Sequence, residues 1–135
     1  MRANGPANVR LVGHVPRAEL GRYYRHAVAL LFPSRGAETF GLSAIEALAC
    51  STPVVSTRCG GTEDIVSPEV GYLYNTSEEL AGHLDRLWND RQERDRLGNN
   101  GRRRFEALYT PEIYLDAYLA AVDRARAGHQ RRANP

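Results

Sequence analysis

Residues 28–57, VALLFPSRGAETFGLSAIEALACSTPVVST, carry a complete strand–helix–strand pattern. Its ends, VALLF (28–32) and PVVST (53–57), are short β-branched or apolar runs bounded by Pro and Ser, as buried strands are. Between them, LSAIEALAC (42–50) is built of small and apolar residues, with Leu42, Ile45 and Ala49 on one stripe of a helix. Strand, helix and strand in immediate succession make a parallel pair with a right-handed crossover. Glu46 is the one charged residue in that helix. A buried carboxylate without a partner is costly. Glu46 therefore either has a built-in partner or awaits a ligand with paired donors, such as the two hydroxyls of a ribose.

The alternation continues on both sides of this segment. VRLVGHV (9–15) and GYLY (71–74) read as further strands, giving four in all. PRAELGRYYRHA carries Leu20, Tyr23, Tyr24 and Ala27 at the spacing of one helix face, and a short helical turn is expected around TEDIV. Beyond the fourth strand the pattern is wholly helical. Thr76 with Glu79 forms a capping box before SEELAGHLDRLWND, and Thr110 with Pro111 opens PEIYLDAYLAAVDRARA. RQERDRLGNNGRRRFEALY predicts two helices broken near GNNG. The expected architecture is an open parallel α/β sheet with helices on both faces and a helical C-terminus. It occupies residues 1–128, with 129–135 a disordered tail.

Composition narrows the function. The 135 residues, 42% hydrophobic and 25% charged, suit one domain. All basic residues are Arg and the net charge is only +2, which gives no general nucleic-acid or membrane signal. Cys50 and Cys59 have no metal or redox spacing, no apolar run is long enough to span a bilayer, and a cytoplasmic setting is the default.

Ligands of open parallel sheets bind beyond the carboxyl ends of the strands. Here those ends lead into GHVP, PSRGAETFG and TRCGGTED. Gly41 closes the second of these loops, and the free amides from about Thr39 to Ser43 point out of the following helix start. That start carries roughly half a positive elementary charge, which suits a phosphate or diphosphate.

PSRGAETFGLSAIEALACSTPVV followed by GGTED resembles the nucleotide-sugar half of the retaining GT-B glycosyltransferases, family 4 (group 1). Their hallmark is two glutamates separated by seven residues, here Glu38 and Glu46. The likeness runs from NVRLVGHVP to LGNNGRRRFE. It implies a Rossmann-like C-terminal domain that binds a nucleotide-diphospho-sugar. Glu46 would hold the ribose hydroxyls and Glu38 would act catalytically on the donor sugar. Thr39 and the Phe40, Gly41 and Leu42 backbone would meet sugar and diphosphate. Val15 and Leu42 would flank the base, and Gly60 and Gly61 would line the site. The resemblance implies neither metal nor other cofactor.

The chain departs from the family pattern in several places. The N-terminal acceptor domain, two strands that normally open this domain, and the Arg and Lys that grip the diphosphate are not in this sequence; Arg35 is the nearest substitute. In the family's strand order, 3-2-1-4-5-6, VRLVGHV must then pair directly with VALLF or dock elsewhere, and an open strand edge invites self-association. The expected partners are a nucleotide-sugar donor and an acceptor domain or subunit, with no nucleic acid. The full-length enzyme is expected to be cytoplasmic, or peripheral to the membrane. The expected function is donor binding for retaining transfer, with the isolated chain inactive. The alternative is a non-catalytic nucleotide-binding or assembly module.

Each residue also has an ordinary reading. Glu46 can pair with an Arg on a neighbouring helix, Glu38 can be a loop acid at a helix start, and Gly60 and Gly61 can be turn residues. His14 reads as a loop residue, Arg102 to Arg104 as a solvated helix face, and Tyr109, Tyr114 and Tyr118 as core or interface packing.

Overall fold

The structure, a computed structural model, describes residues 8–36 and 38–133, with side-chain environments to residue 127. Three strands, β1 (Leu30–Phe32), β2 (Val54–Thr57) and β3 (Gly71–Tyr74), form a parallel sheet in the order β1-β2-β3. Leu31 lies opposite Val55, and Val55 opposite Tyr72. The helices are α1 (Arg17–Arg25), α2 (Leu42–Ala49), α3 (Gly61–Ile65), α4 (Ser77–Asn89), α5 (Arg91–Leu108) and α6 (Pro111–Ala133).

The expected strand VRLVGHV does not form. Residues 9–15 are irregular and pair with no strand of the sheet; Val9, Leu11 and Val12 are exposed. Gly13, at φ +74°, interrupts the extended run, and apolar alternation without a neighbouring strand leaves the backbone to water. Among the described residues the sheet therefore has three strands, and the edge of β1 facing away from β2 is unpaired.

The strands' period of two sends alternate side chains to two cores. On one face Val54 packs with Ala44, Ile45, Ala47 and Leu48 of α2 and with Ile65, Val66 and Val70. On the other, Val55 and Tyr74 pack with Leu87 of α4 and Leu97 of α5. Helices thus cover both faces, and α5 crosses from one core to the other.

The expected break in α5 is absent, because Gly98 and Gly101 are contact residues. They stand three apart on the face that meets α2. A Cβ on Gly98 would lie 2.3 Å from the Ser51 carbonyl oxygen, and one on Gly101 2.8 Å from a Leu48 methyl. A modest loss of helix propensity permits an approach no other residue allows.

The arginines that follow hold the other helices. Arg102 donates to the Ala49 carbonyl at the end of α2, and Arg104 donates to the Asp64 carbonyl at the end of α3, 2.7 Å away. Both cap carbonyls that a helix end leaves unsatisfied, so this is not simply a solvated face. The end of α2 is further closed by Thr52 N–H on the Ala47 carbonyl and Ser51 N–H on the Leu48 carbonyl, with Ser51 left-handed at φ 58°.

Glu93 anchors the second core. It accepts from the Tyr72 hydroxyl at 2.7 Å and from Arg96 at 2.7 and 2.9 Å, and Arg86 stands 3.5 Å away. At the C-terminus, α6 is capped by the Thr110 hydroxyl, which accepts from Ile113 N–H. It continues to Ala133, through residues that the sequence assigns to a disordered tail.

Candidate functional site

The loops leaving β1 and β2 meet beyond the carboxyl ends of the strands. The Thr57 hydroxyl donates to the Ser34 carbonyl at 2.6 Å, and Gly61 N–H donates to the Glu38 carbonyl at 2.8 Å. The two glycines leave no room for side chains. A Cβ on Gly60 would stand 2.4 Å from the Glu38 oxygen, and one on Gly61 2.9 Å from Phe40 Cα and the Thr39 oxygen. Gly60 also sits at φ 53°, ψ −127°, where a side chain is strained. Beneath them the buried Thr62 hydroxyl lies 3.0 and 3.1 Å from the Thr57 and Cys59 carbonyls and ties the second loop to itself. Gly60 and Gly61 are thus more than turn formers: they let the GG loop lie directly on the Glu38–Phe40 backbone.

Gly41, at φ 86°, starts α2 without a side-chain cap. Its carbonyl receives the amides of Ala44 and Ile45, which leaves those of Leu42 and Ser43 at the open helix start. The Gly41 amide itself donates to Glu38 Oε1 at 3.2 Å. The first glutamate is therefore held twice, by its carbonyl and by its carboxylate, in a loop folded against a helix start.

Glu46 lies one turn further along α2, with its side chain 35% exposed. Glu46 has a built-in partner: the Tyr24 hydroxyl donates to its Oε2 at 3.2 Å. Tyr24 ionises above the usual tyrosine range, first because it is partly buried and then because the Glu46 charge opposes a second anion. The expected arginine partner exists only loosely. Arg17 is 3.9 Å from Glu46 Oε1 with its own side chain 92% exposed, a pairing worth little.

Glu46, Phe40 and Leu42 open onto one cavity of about 710 Å³, whose wall also includes Arg17, Phe105, Tyr109 and Tyr114. Phe40 and Leu42 are 50% and 67% exposed at the mouth of this cavity. Glu38, Thr39, Gly60 and Gly61 form the adjoining loop pair and do not line the cavity. Val15 is half-buried but is not on that wall, and His14 and Arg35 are exposed. The structure thus gathers Phe40, Leu42 and Glu46, sets Glu38 and the glycines beside them, and leaves Val15 apart.

Arg17, Tyr24 and the aromatic rim were not singled out from the sequence as site residues. Tyr24 falls on the α1 apolar stripe, where a phenol reads as core; its position opposite Glu46 exists only in the folded chain. Tyr109 does pack against the α2 core, whereas Tyr114 and Tyr118 remain largely exposed, their rings stacked at 6.3 Å. Cys50 and Cys59 are free thiols. Among the described residues no three His, Cys, Asp or Glu side chains gather as metal ligands, and no helix is long and apolar enough to cross a membrane.

The sequence matches the family Glycosyl transferases group 1 over residues 2–104. It is 40% identical over 116 residues to a D-inositol 3-phosphate glycosyltransferase of Thermobifida fusca, covering 84% of this chain and 26% of that protein. Among solved structures, sucrose-phosphate synthase of Thermosynechococcus elongatus superposes with TM-score 0.78 at 37% identity, over 86% of this chain and 30% of the synthase. HepE of Anabaena, solved with UDP-glucose, superposes with TM-score 0.71 at 22% identity over 81% of this chain and 30% of HepE, a likeness of fold alone. The chain spans roughly a quarter to a third of the length of these proteins.

Proposed function

Because this chain belongs to the group 1 glycosyl transferases and has their Rossmann-like GT-B architecture, we propose that it is the donor-binding part of a retaining glycosyltransferase. In this reading it holds a nucleoside-diphosphate sugar at the carboxyl ends of β1 and β2. The observation that carries the proposal is the convergence on one cavity of Glu46 with the Phe40 to Leu42 helix start. The open amides at the start of α2 receive the diphosphate, electrostatically and without metal. Glu46 accepts hydrogen bonds from the ribose, and Phe40 and Leu42 supply apolar cover. Glu38, adjoining the helix start, meets the sugar hydroxyls and acts at the reacting centre. A neighbour of the same fold holding UDP-glucose supports a nucleotide-sugar as the ligand class.

Transfer needs an acceptor held in near-attack geometry against the donor, and such positioning is worth several orders of magnitude in rate. In the relatives, of which this chain spans about a quarter to a third, there is ample further chain to supply it. The isolated chain accordingly binds nucleoside diphosphates and does not transfer sugar. The purified chain is incubated with UDP-, GDP- and ADP-sugars, with and without simple acceptors, while binding and diphosphate release are followed together. Saturable binding without release is expected. Turnover that disappears in Glu38→Ala would show a complete active site on this chain, and absence of any binding would refute the donor-site reading.

A further inference from the structure

Building on the donor-site reading, we infer that Tyr24 is a positioning residue: its hydroxyl presets the Glu46 carboxylate for a ribose diol and so sets a preference for ribonucleotides over deoxyribonucleotides. Tyr24 is fixed at three points. Its ring packs against the α2 core, its carbonyl accepts from the Thr52 hydroxyl at 2.7 Å, and its hydroxyl donates to Glu46 Oε2 at 3.2 Å. Thr52 is buried and follows directly on the closed end of α2, the helix that carries Glu46. The phenol and the carboxylate are therefore referenced to one rigid element.

That matters because glutamate has several rotatable bonds, and this one is a third exposed. A bidentate grip on two adjacent hydroxyls requires the carboxylate plane to be set before the ligand arrives, or the ordering cost comes out of the affinity. Tyr24 occupies one of the four or so lone-pair positions of the carboxylate and leaves Oε1 uncommitted. The charge that faces Oε1 is Arg17, at 3.9 Å, longer than a hydrogen bond. Without the phenol, the carboxylate is free to turn toward Arg17 and close that ion pair, which would compete with the diol for the same oxygen.

Tyr24→Phe removes the hydroxyl and keeps the ring. UDP, GDP and ADP, each beside its 2′,3′-dideoxy form, are titrated into wild type, Tyr24→Phe and Glu46→Gln, with circular dichroism confirming the fold. Tyr24→Phe should weaken the ribonucleotide about three- to tenfold and the dideoxynucleotide less than about twofold, the scale of one hydrogen bond. Equal losses for both, or a gain in ribonucleotide binding, would make Tyr24 merely structural and overturn the inference. If Glu46→Gln narrows the ratio and Tyr24→Phe does not, the inference falls while the donor-site reading stands. If neither variant changes the ratio, or wild type binds none of the probes, both fall. Should Tyr24→Phe not fold, Thr52→Val cuts the tether on Tyr24 without touching Glu46; it must narrow the same ratio, and an unchanged ratio would refute the inference.

Discussion

The Gly61 amide donates to the Glu38 carbonyl at 2.8 Å, and a side chain on either Gly60 or Gly61 would strike the backbone at Glu38 to Phe40. The loop after β2 is thus the floor on which the loop after β1 rests. Gly60→Ala combines a collision with backbone and a backbone angle that disfavours any Cβ, so it should destabilise the chain by about 2–4 kcal/mol and weaken nucleotide binding along with it. Gly61→Ala, with a slightly looser fit, should cost about 1–3 kcal/mol. Urea unfolding of both variants beside wild type checks this. A Gly60→Ala chain with a wild-type midpoint would mean the loops are not locked.

Ser51 adopts the left-handed conformation that ends α2, a position where glycine is the usual residue. The penalty for an L-residue there is about 1–2 kcal/mol, against roughly 0.5–1 for glycine's greater freedom in the unfolded chain. Ser51→Gly should therefore stabilise by about 0.5–1 kcal/mol. A thermal melt shifted downward would contradict the assignment of Ser51 as the helix terminator.

Two hydrogen bonds from Arg96, then that from Tyr72, hold the Glu93 carboxyl down at about 2 from its ordinary 4.5, although burial opposes this. A depressed carboxylate pKa contributes stability that is fully present above pH 4.5 and lost as pH falls toward 2. Tyr72 has the opposite sign. Burial first, then its bond to Glu93, raises it to about 12 from 10.0, so its contribution is complete below pH 10 and lost above it. Denaturant melts at intervals through the acid range should show this slope, and Glu93→Gln should flatten it. An unchanged acid slope in Glu93→Gln would place the titrating group elsewhere.

Among the described residues the edge of β1 is unpaired in a sheet of three strands, and Val9, Leu11 and Val12 are exposed. Such edges template pairing with other chains. Sedimentation across a concentration series should show reversible self-association, reduced when Leu11 and Val12 are both replaced by Lys. A chain that stays monomeric at every concentration would contradict this.

The Glu38 to Glu46 segment was legible in the sequence because its spacing is local: a Gly-ended loop, a small-residue helix and a strand are each set by neighbours a few positions away. The parallel α/β class followed from the same periodicities. What the sequence hid depends on contacts between distant segments. Gly98 and Gly101 read as a break because glycine lowers helix propensity, yet their role is to admit Ser51 and Leu48. VRLVGHV alternates like a strand, but strands exist in pairs and it has no mate in this sheet. Arg102 and Arg104 look like surface charge until the carbonyls of Ala49 and Asp64 are seen beneath them. Glu46 was recognisable as an anomaly; Tyr24, twenty-two positions away, was not recognisable as its partner.

In the proposed donor site, Glu46 grips the ribose of a nucleoside diphosphate in the cavity it shares with Phe40 and Leu42. Isothermal titration of the tightest-binding nucleoside diphosphate into wild type and Glu46→Gln, repeated with its 2′,3′-dideoxy form, tests it most directly. The substitution should cost about 1.5–3 kcal/mol for the ribonucleotide, the range for hydrogen bonds to a charged group, and far less for the dideoxy form. Equal losses for both nucleotides would show that Glu46 serves the fold and not the ligand.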